Sequence, residues 1–573
     1  MEKLLTSFAE ASQTTVNVFT AVLRYGMPLL IGLLLWRSIR PLLTFRREPE
    51  IWAWLCLPDG NRLPITHWEN VIGRSKRSDI VVDFPTVSRN HAVLTRYDDG
   101  SWTVSDANSR DGVFVNGEPV QISAIYPGDV ISLGGLDMTL EPISRRQEIR
   151  LGQLRTQAGK ASSSVWNLIL LSLVQCLFAM AFLLNADPGL YANVLWGFGG
   201  VFLAQWGLLC FYLIIRRPTF EVETIAFFLC TIGMAVILTV APGEVYKQLV
   251  AGALGLTVFL FVGWSLRDLE RAKRIRYLAA AAGIGFLVIT LLFGRESYGA
   301  KNWLIIGGLS IQPSELTKVC FVYVGASTMD RIMNKRNLIL FILYSAMICG
   351  CLALMNDFGT ALIFFVTFLV IAYLRSGSIG TIALALAAVV FAGVLVLKVA
   401  PHALRRFASW RHIWEDPLNA GYQQTRALMC IASGGMLGLG ANNGWLKHLF
   451  AADTDVVFAT VSEEWGLLIA VMMVLTIGAL AMFAVRSAAV GRSGFYTIGG
   501  CTAASVLLMQ AILNILGTVD ILPLTGVTFP FVSNGGSSMI SAWGLLAFVK
   551  AADTRQNASF AVRLPNRKEG DDE

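Results

Sequence analysis

The sequence predicts a polytopic α-helical membrane protein that carries one all-β domain. Of its 573 residues, 55% are hydrophobic and only 15% are charged, whereas about 25% charged residues is usual in soluble proteins. Apolar runs of about 20 residues recur along the chain, which is the length an α-helix needs to cross a bilayer. One polar stretch, residues 48–143, instead has short alternating runs separated by turn residues, a pattern typical of β-strands.

The chain divides into five predicted parts. The first apolar run is expected to remain as an anchor, because arginines rather than a small-residue cleavage site follow it. The predicted parts are an N-terminal membrane anchor (1–47), a β-sandwich (48–143), a basic linker (144–164), a multi-span membrane domain (165–550) and a cytoplasmic tail (551–573). The membrane domain contains twelve apolar segments and one long mixed-charge loop, 399–457.

The basic residues predict the orientation of the spans. Lys and Arg cluster in alternate loops, such as 267–276 and 331–336, and short cytoplasmic loops carry this excess. The β-sandwich and the C-terminus are therefore expected in the cytoplasm. The loops 294–312 and 399–457 then lie on the opposite, extracytoplasmic side of the membrane.

The composition argues against several functions. The formal net charge of +7 comes from loops beside spans, so it does not indicate nucleic-acid binding. The nine cysteines form neither a disulfide framework nor a zinc spacing, and no metal-binding residues are predicted. The glycine-rich segment 434–440 lacks the preceding strand and following Lys-Ser/Thr of a nucleotide-binding loop.

The β-domain contains motifs at defined spacing: Gly73-Arg74, Ser88-Arg89-Asn90-His91 and WTVSDANSRDGVFVNG at 102–117. An arginine and a serine hydroxyl on neighbouring loops can hold a phosphate through charge-assisted hydrogen bonds. The order and spacing resemble those of forkhead-associated (FHA) domains, which bind phosphothreonine peptides. The resemblance implies that Arg74 and Ser88 contact the phosphate. The predicted phosphopeptide-binding residues are Arg74, Ser88, Arg89, Asn108, Arg110 and Asp111.

Asp111 departs from the FHA pattern, which usually has Asn at this position. A carboxylate there adds negative charge beside a phosphate dianion, which Arg110 could offset. Two interpretations therefore stay open: a phosphothreonine reader and a phosphate-independent docking module.

Four polar stretches lie at the predicted outer ends of spans: 299–318, 356–361, 416–464 and 522–538. Together they resemble the SEDS family (FtsW, RodA and SpoVE), membrane glycosyltransferases that polymerise peptidoglycan from lipid II. The resemblance covers about 278–550, with the motifs in family order. It implies a ten-span core, preceded here by about three extra N-terminal spans. Asn302 and Asn534 depart from the pattern, which commonly has Arg and Tyr at these positions.

Polymerising a lipid-linked sugar requires a base for the attacking hydroxyl, cations near the pyrophosphate and a groove for the lipid tails. Asp455 is the predicted catalytic base, because it lies in the long outer loop just before a span. The resemblance assigns catalysis to the same residue. The alternative is an Asp that caps the following helix.

Further residues near the outer face are predicted to bind the substrate. Interfacial Trp can also serve as a membrane anchor, so the role of Trp303 follows from the resemblance. The predicted substrate-binding residues are Lys301, Trp303, Glu315, Lys318, Asp357, Arg405, Arg406, Arg411, Glu463 and Ser537.

Several of these residues have a structural alternative. Glu315 and Lys318 share one helix face at i, i+3, so they could form an internal ion pair instead of a cavity floor. Asp357 could cap a helix, and the three arginines could snorkel to the headgroups. Either Glu463 or its neighbour Glu464 is expected to pair with a basic group and order the cavity.

The leading prediction is a lipid II polymerase on the outer face, acting in cell-wall synthesis during division, elongation or sporulation. The resemblance implies a class B penicillin-binding protein as transpeptidase partner, and the β-domain implies a phosphothreonine protein or a Ser/Thr kinase system. A divalent cation, Mg²⁺ or Mn²⁺, is chemically reasonable at the pyrophosphate, although the sequence offers no dedicated oxygen cage. The alternatives are a precursor flippase and a non-catalytic signalling scaffold.

Overall fold

The computed structural model of the chain describes residues 13–44, 51–144, 146–147, 163–329, 335–376, 380, 383, 386–387 and 408–553, except 77, 98–99, 186–187, 218, 298, 308, 489–490 and 492. Most of the predicted linker and tail, most of the span predicted at 379–398, and the predicted site residues Arg405 and Arg406 lie outside these residues.

The described part contains fourteen α-helices. In chain order they are α1 Gln13–Thr44, α2 Ser164–Asn185, α3 Tyr191–Ile214, α4 Glu221–Val240, α5 Val245–Ser265, α6 Leu269–Phe293, α7 Pro313–Met329, α8 Lys335–Leu354, α9 Phe358–Ser376, α10 Tyr422–Gly434, α11 Val457–Trp465, α12 Leu467–Ala488, α13 Gly494–Thr518 and α14 Gly536–Ala551.

Ten of the described helices are long and apolar enough to cross a membrane. They are α1–α6, α8, α9, α12 and α13. Two more predicted spans correspond to the shorter helices α7 and α14, of 17 and 16 residues. The predicted polytopic helical fold is confirmed.

The helices α2 and α3 are joined to α4 through buried polar groups. The Gln175 Nε2 on α2 donates to Gln205 Oε1 on α3 (3.0 Å) and to the Thr231 hydroxyl on α4 (3.1 Å). Polar side chains hold membrane helices together in this way because lipid offers them no partners. Every residue of α4 except Val240 is buried, so α4 lies within the helix bundle.

A buried ion pair holds the N-terminal end of α4. Lys550 Nζ on α14 lies 3.0 Å from the Glu223 carboxylate, and the Tyr212 hydroxyl on α3 donates to the same carboxylate (2.8 Å). The side chains of Lys550 and Glu223 are fully buried. A buried charge is tolerable only when it is paired and hydrogen-bonded, so this cluster fixes α3, α4 and α14 against one another.

Residues 53–142 form the β-sandwich that the alternating pattern predicted. Only the β3–β4 pairing is parallel among the described strands. One sheet has the order β2-β1-β11-β10-β7-β8 and the other β4-β3-β5-β6-β9. The strands are β1 Ala53–Cys56, β2 Arg62–Ile65, β3 Glu69–Gly73, β4 Ile80–Val81, β5 Ala92–Arg96, β6 Trp102–Asp106, β7 Val113–Val115, β8 Glu118–Val120, β9 Ile122–Ile125, β10 Val130–Leu133 and β11 Leu136–Pro142.

The β-sandwich contacts the membrane helices at the turn between α12 and α13. His67 Nδ1 lies 2.5 Å from the Gly491 carbonyl oxygen, and the rings of Trp68 and Tyr496 meet edge to face at 6.0 Å. Tyr496 lies at the start of α13. The soluble domain is therefore seated on one end of this helix.

The opposite end of the bundle carries a small three-stranded sheet and the long loop. The sheet consists of β12 Arg295–Ser297, β13 Ala300–Ile306 and β14 Leu309–Ile311. The loop folds back so that Gly434 and Gly438 lie against the backbone of Ser462 and Glu464, with no room for a Cβ atom. Glycine is required there for close backbone packing.

Candidate active site

Asp455 lies at the end of the long loop, two residues before α11. It is half-buried, and its backbone N–H donates to the Ala451 carbonyl (2.9 Å). The N-cap residue of α11 is Val456, which has no side-chain capping bond. Asp455 therefore precedes the cap residue by one position and is partly exposed at the end of the bundle that carries the long loop.

Asn514, near the end of α13, holds the backbone around Asp455. Its buried Nδ2 donates to the carbonyl oxygens of Thr454 (3.2 Å), Asp455 (3.0 Å) and Val527 (2.9 Å). One turn further along, the Thr518 hydroxyl lies 3.4 Å from the Asp455 carbonyl oxygen. This pair on α13 joins the Asp455 segment to the segment before α14.

The segment before α14 packs directly against the Asp455 side chain. A Cβ atom at Gly526 would lie 3.4 Å from Asp455 Oδ2, and Gly526 has a φ of 69°. The Ser533 hydroxyl donates to the Thr454 carbonyl (2.8 Å), and Asn534 Nδ2 donates to Asp453 Oδ2 (2.8 Å). Two of the four predicted motif stretches thus meet at Asp455.

The stretch 356–361 joins them at the start of α9. A Cβ atom at Gly359 would lie 3.1 Å from Thr525 Cβ, so α9 begins against the Gly526 segment. Asp357 Oδ1 accepts from the Thr360 N–H (3.1 Å), which caps α9, while Asp357 Oδ2 lies 3.5 Å from Asn302 Nδ2. One oxygen therefore caps the helix and the other faces the first stretch.

The first stretch contributes β13. Lys301 is half-buried, and its Nζ donates to the Leu291 carbonyl at the end of α6 (2.7 Å). Trp303 lies on the same strand, opposite Arg295 of β12. Lys301 and Trp303 thus flank Asn302, the residue of β13 whose side chain faces Asp357. The substrate contacts of Lys301 and Trp303 stay predictions.

The Glu315–Lys318 pair lies at the start of α7. Lys318 Nζ is 2.5 Å from Glu315 Oε1, and both side chains are almost fully buried. The internal ion pair considered above is present, and Glu315 Oε2 has no hydrogen-bond partner among the described residues. Nearby, the Ser537 hydroxyl accepts from the Gln312 N–H (3.0 Å), which ties α7 to α14.

Glu463 holds the folded-back loop. Its two carboxylate oxygens accept from the backbone N–H groups of Trp445 (2.8 Å) and Leu446 (2.9 Å), and it is 1% exposed. The sequence predicted that either Glu463 or Glu464 would pair with a basic group, and the hydrogen bonds of Glu463 to Trp445 and Leu446 come from backbone N–H groups. Glu464 accepts from the Thr239 hydroxyl on α4 (2.7 Å).

Arg411 is the one predicted arginine of the long loop that the structure describes. Its N–H lies 3.3 Å from Asp520 Oδ1, two residues past Thr518, and its guanidinium lies 5.5 Å from the centre of the Trp410 ring. The side chain is exposed on the same end of α13 as Asp455. The described residues contain no group of three His, Cys, Asp or Glu side chains placed to hold a metal ion.

Asn514, Thr518 and Gly526 were not among the predicted site residues, although Gly526 lies in the predicted stretch 522–538. Asn514 and Thr518 are spaced i, i+4 in an apolar span, and a polar residue in such a span usually faces the protein interior. That signal could have identified α13 as part of the site, although not the carbonyl groups that it contacts.

The predicted phosphate-binding loops of the β-sandwich lie together. The Arg74 N–H donates to the Ser88 carbonyl (3.0 Å), and the Ser88 hydroxyl accepts from the Arg110 N–H (3.0 Å). The side chains of Arg74, Arg89 and Arg110 are all exposed beside this junction. The Arg74 guanidinium donates through Nη1 to the Pro85 carbonyl (3.1 Å). Guanidinium and hydroxyl groups on neighbouring loops are the groups that bind a phosphate.

The remaining residues of these loops shape the backbone. His91 is fully buried, with Nδ1 accepting from the Ser88 N–H (3.0 Å) and Nε2 2.9 Å from the Gly112 carbonyl. Asn108 has a φ of 62°, a left-handed conformation that Asn tolerates better than most residues. Asp111 is exposed, so its charge is open to solvent.

These features define a multi-pass membrane enzyme with a polar site at one end of its helices and an FHA domain at the other. The sequence model of the FtsW/RodA/SpoVE family, described as "Cell cycle protein", matches residues 229–558, and the FHA domain model matches 70–134. The chain belongs to the FtsW/RodA/SpoVE family and contains an FHA domain.

Individual relatives agree with this assignment. The chain is 28% identical to the peptidoglycan glycosyltransferase RodA of Mycobacterium tuberculosis over 53% of its own length and 69% of that protein. It is 30% identical to the probable peptidoglycan glycosyltransferase FtsW of Escherichia coli O157:H7 over 50% and 72%. A solved chain from a peptidoglycan synthase complex that coordinates polymerization and crosslinking has 25% identity and a TM-score of 0.50, covering 58% of this chain and 96% of that chain.

Proposed function

We propose that the protein is a peptidoglycan glycosyltransferase that polymerises lipid II on the extracytoplasmic face of the membrane, with Asp455 as general base. The observation that carries the proposal is the meeting of two motif stretches at half-buried Asp455, whose backbone Asn514 holds, with the stretch 356–361 packed on the Gly526 segment. The names of its relatives supply the reaction class.

In the proposed reaction an acceptor sugar hydroxyl attacks the anomeric carbon of a second lipid-linked sugar. The new C–O bond forms as the bond to the lipid pyrophosphate breaks, and the hydroxyl proton passes to the Asp455 carboxylate. The rigid backbone around Asp455 supports this role, because a positioned base lowers the barrier only when its geometry is fixed.

The leaving pyrophosphate requires positive charge. Among the described residues, Lys301 and Arg411 supply cations at this end of the bundle, and we include Arg405 and Arg406 in the same proposed clamp. Glu315, Lys318, Asp357, Trp303 and Ser537 would line the groove. A requirement for Mg²⁺ or Mn²⁺ can be tested by chelation in the polymerisation assay.

The FHA domain and the C-terminus are assigned to the cytoplasm because basic residues concentrate at that end of the spans. There the FHA domain would bind a protein whose threonine has been phosphorylated by a Ser/Thr kinase system. The transpeptidase partner would be a class B penicillin-binding protein, by analogy with the synthase complex.

The test is polymerisation of purified lipid II by the full-length protein with a candidate transpeptidase. We expect wild type to produce glycan and Asp455→Asn to lose it while remaining folded. Equal polymer yield from both proteins would refute the assigned base. A flippase would instead move lipid II across vesicles without polymer, and a scaffold would do neither.

The FHA assignment has a separate test. Titration with matched phosphothreonine and unmodified peptides is expected to give binding only to the phosphorylated form, and Arg74→Ala is expected to weaken it at least tenfold. Equal binding of both peptides would favour the phosphate-independent docking module.

A further inference from the structure

The FHA domain rests on the membrane bundle through an aromatic contact that does not belong to its own core. Trp68 is 7% exposed and is buried with the membrane helices, not with the core of the β-sandwich. Trp52 bridges the two, because it packs against both cores and lies 6.1 Å from Trp68. Arg96 covers Trp52 from the domain side, 4.4 Å from its ring centre.

Two paired strands, β3 and β5, have this contact at one end and the phosphate-binding loops at the other. β3 runs from Glu69, next to Trp68, to Gly73, next to Arg74. β5 pairs with it and ends at Arg96, whose N–H donates to the Trp68 carbonyl (2.7 Å). Two paired strands thus connect the predicted phosphopeptide site to the contact.

On the membrane side the contact meets the first turn of α13. Trp68 packs on Tyr496, whose hydroxyl donates to the Leu266 carbonyl (2.7 Å), and His67 contacts Gly491 just before the helix. α13 has 25 residues, so it extends about 37 Å at 1.5 Å per residue. Its other end carries Asn514 and Thr518, which hold the Asp455 backbone.

We infer that this contact, formed by Trp52, Trp68 and Arg96, couples phosphopeptide binding at the FHA domain to the geometry of Asp455 through α13. A peptide that shifts the phosphate-binding loops moves the contact, and the helix carries that displacement to Asn514. The inference rests on the proposed function, since it assigns a regulatory input to the same site. Two measurements test the energetic coupling directly.

The first measurement is hydrogen exchange on the full-length protein in nanodiscs, without any peptide. We expect Trp68→Ala to raise exchange at 494–500 and also at 452–456, across the bundle. Trp68→Phe, which keeps a ring against Tyr496, should restore the wild-type pattern. The matched control is Tyr126→Ala on the FHA surface, where the side chain is 68% exposed. Faster exchange confined to 494–500, or no change, would overturn the coupling.

The second measurement adds a phosphothreonine peptide selected from a library for binding to the wild-type protein. We expect the peptide to change the rate of lipid II polymerisation by about fivefold or more, the range of allosteric coupling. Trp68→Ala should bind the peptide normally but lose this response. A retained response in Trp68→Ala, or no response in a wild type that binds the peptide, would contradict the inference.

The two measurements separate the inference from the proposed function. If wild type makes no polymer at all, the glycosyltransferase proposal fails, while the exchange pattern still decides whether the two ends of α13 are coupled. If polymer is made and exchange at 452–456 ignores Trp68, the enzyme stands and the coupling fails.

Discussion

Asp455 and Glu463 are eight positions apart in one segment, but the structure holds them in opposite ways. Asp455 is half-buried, and the hydrogen bonds from Asn514 and Thr518 fix its backbone carbonyl. Glu463 is buried, and both of its carboxylate oxygens accept from backbone N–H groups. Glu463 holds the loop through both carboxylate oxygens, whereas Asp455 is partly exposed and is the base that we propose. The difference predicts that mutations at the two sites will separate activity from stability.

The largest effect is expected for Asp455→Asn. Removing the base should lower the rate of lipid II polymerisation roughly 100-fold or more, while the apparent melting temperature in detergent stays at the wild-type value. Rate and melting curve are measured on the same preparation. If the variant loses both its polymerisation rate and its thermal stability, Asp455 has a structural role like that of Glu463.

The next largest effect is expected for Asn514→Asp. The substitution removes an N–H donor and places a carboxylate against three carbonyl oxygens, so the Asp455 backbone should shift. A misplacement of about 1 Å can cost on the order of 100-fold in rate. We expect the loss in kcat with KM little changed, and Asn514→Gln should recover part of it. A change in KM alone would show that α13 contacts substrate and does not position the base.

Glu463→Gln should show the opposite behaviour. One amide N–H would face a backbone N–H, which should lower the free energy of unfolding by about 1.5–3 kcal/mol. Thermal unfolding measures this loss, with Glu415→Gln, at an exposed glutamate of the same loop, as the control. The folded fraction should polymerise at close to the wild-type rate, and a rate as low as that of Asp455→Asn would make Glu463 part of the chemistry.

The smallest effect is expected for a third carboxylate, Asp111, which is exposed. Asp111→Asn should strengthen phosphopeptide binding by no more than about fivefold, because exposed charge pairs contribute little, and the gain should shrink at high salt. Titrations at two ionic strengths provide the measurement. A large, salt-independent gain would mean that a direct contact, and not solvent-screened charge, distinguishes Asp from Asn at this position.

Much of the fold could be predicted because it depends on local patterns. Apolar length identified the spans, and alternation with turn residues identified the β-sandwich. Asp455, Arg74 and Ser88 belong to motifs of contiguous residues, so the sequence contains their spacing. Asp455 lies at the end of the bundle, and the Ser88 hydroxyl lies at the junction of the predicted phosphate-binding loops. Their roles stay predictions.

The partners of these residues could not be predicted in the same way. Asn514 meets Asp455 only because α11 and α13 pack side by side, and Glu463 meets Trp445 only because the glycine-rich loop folds back. Such contacts join residues that are distant in sequence, and the sequence of one chain does not reveal which distant residues meet. The packing of Trp68 on Tyr496 could not be predicted either, because a tryptophan in a β-domain more often belongs to the core of that domain.

The complete burial of α4 limits how the protein can be shortened. α4 begins just before the family-matched region, and its Thr231 accepts a hydrogen bond from Gln175 of the preceding α2. A truncated gene product starting at about residue 220 would turn this hydroxyl, and a whole helix face, toward acyl chains. We therefore expect α4 to need α2 and α3 for its stability, and a transmembrane partner on that flank would meet α2 and α3 before α4.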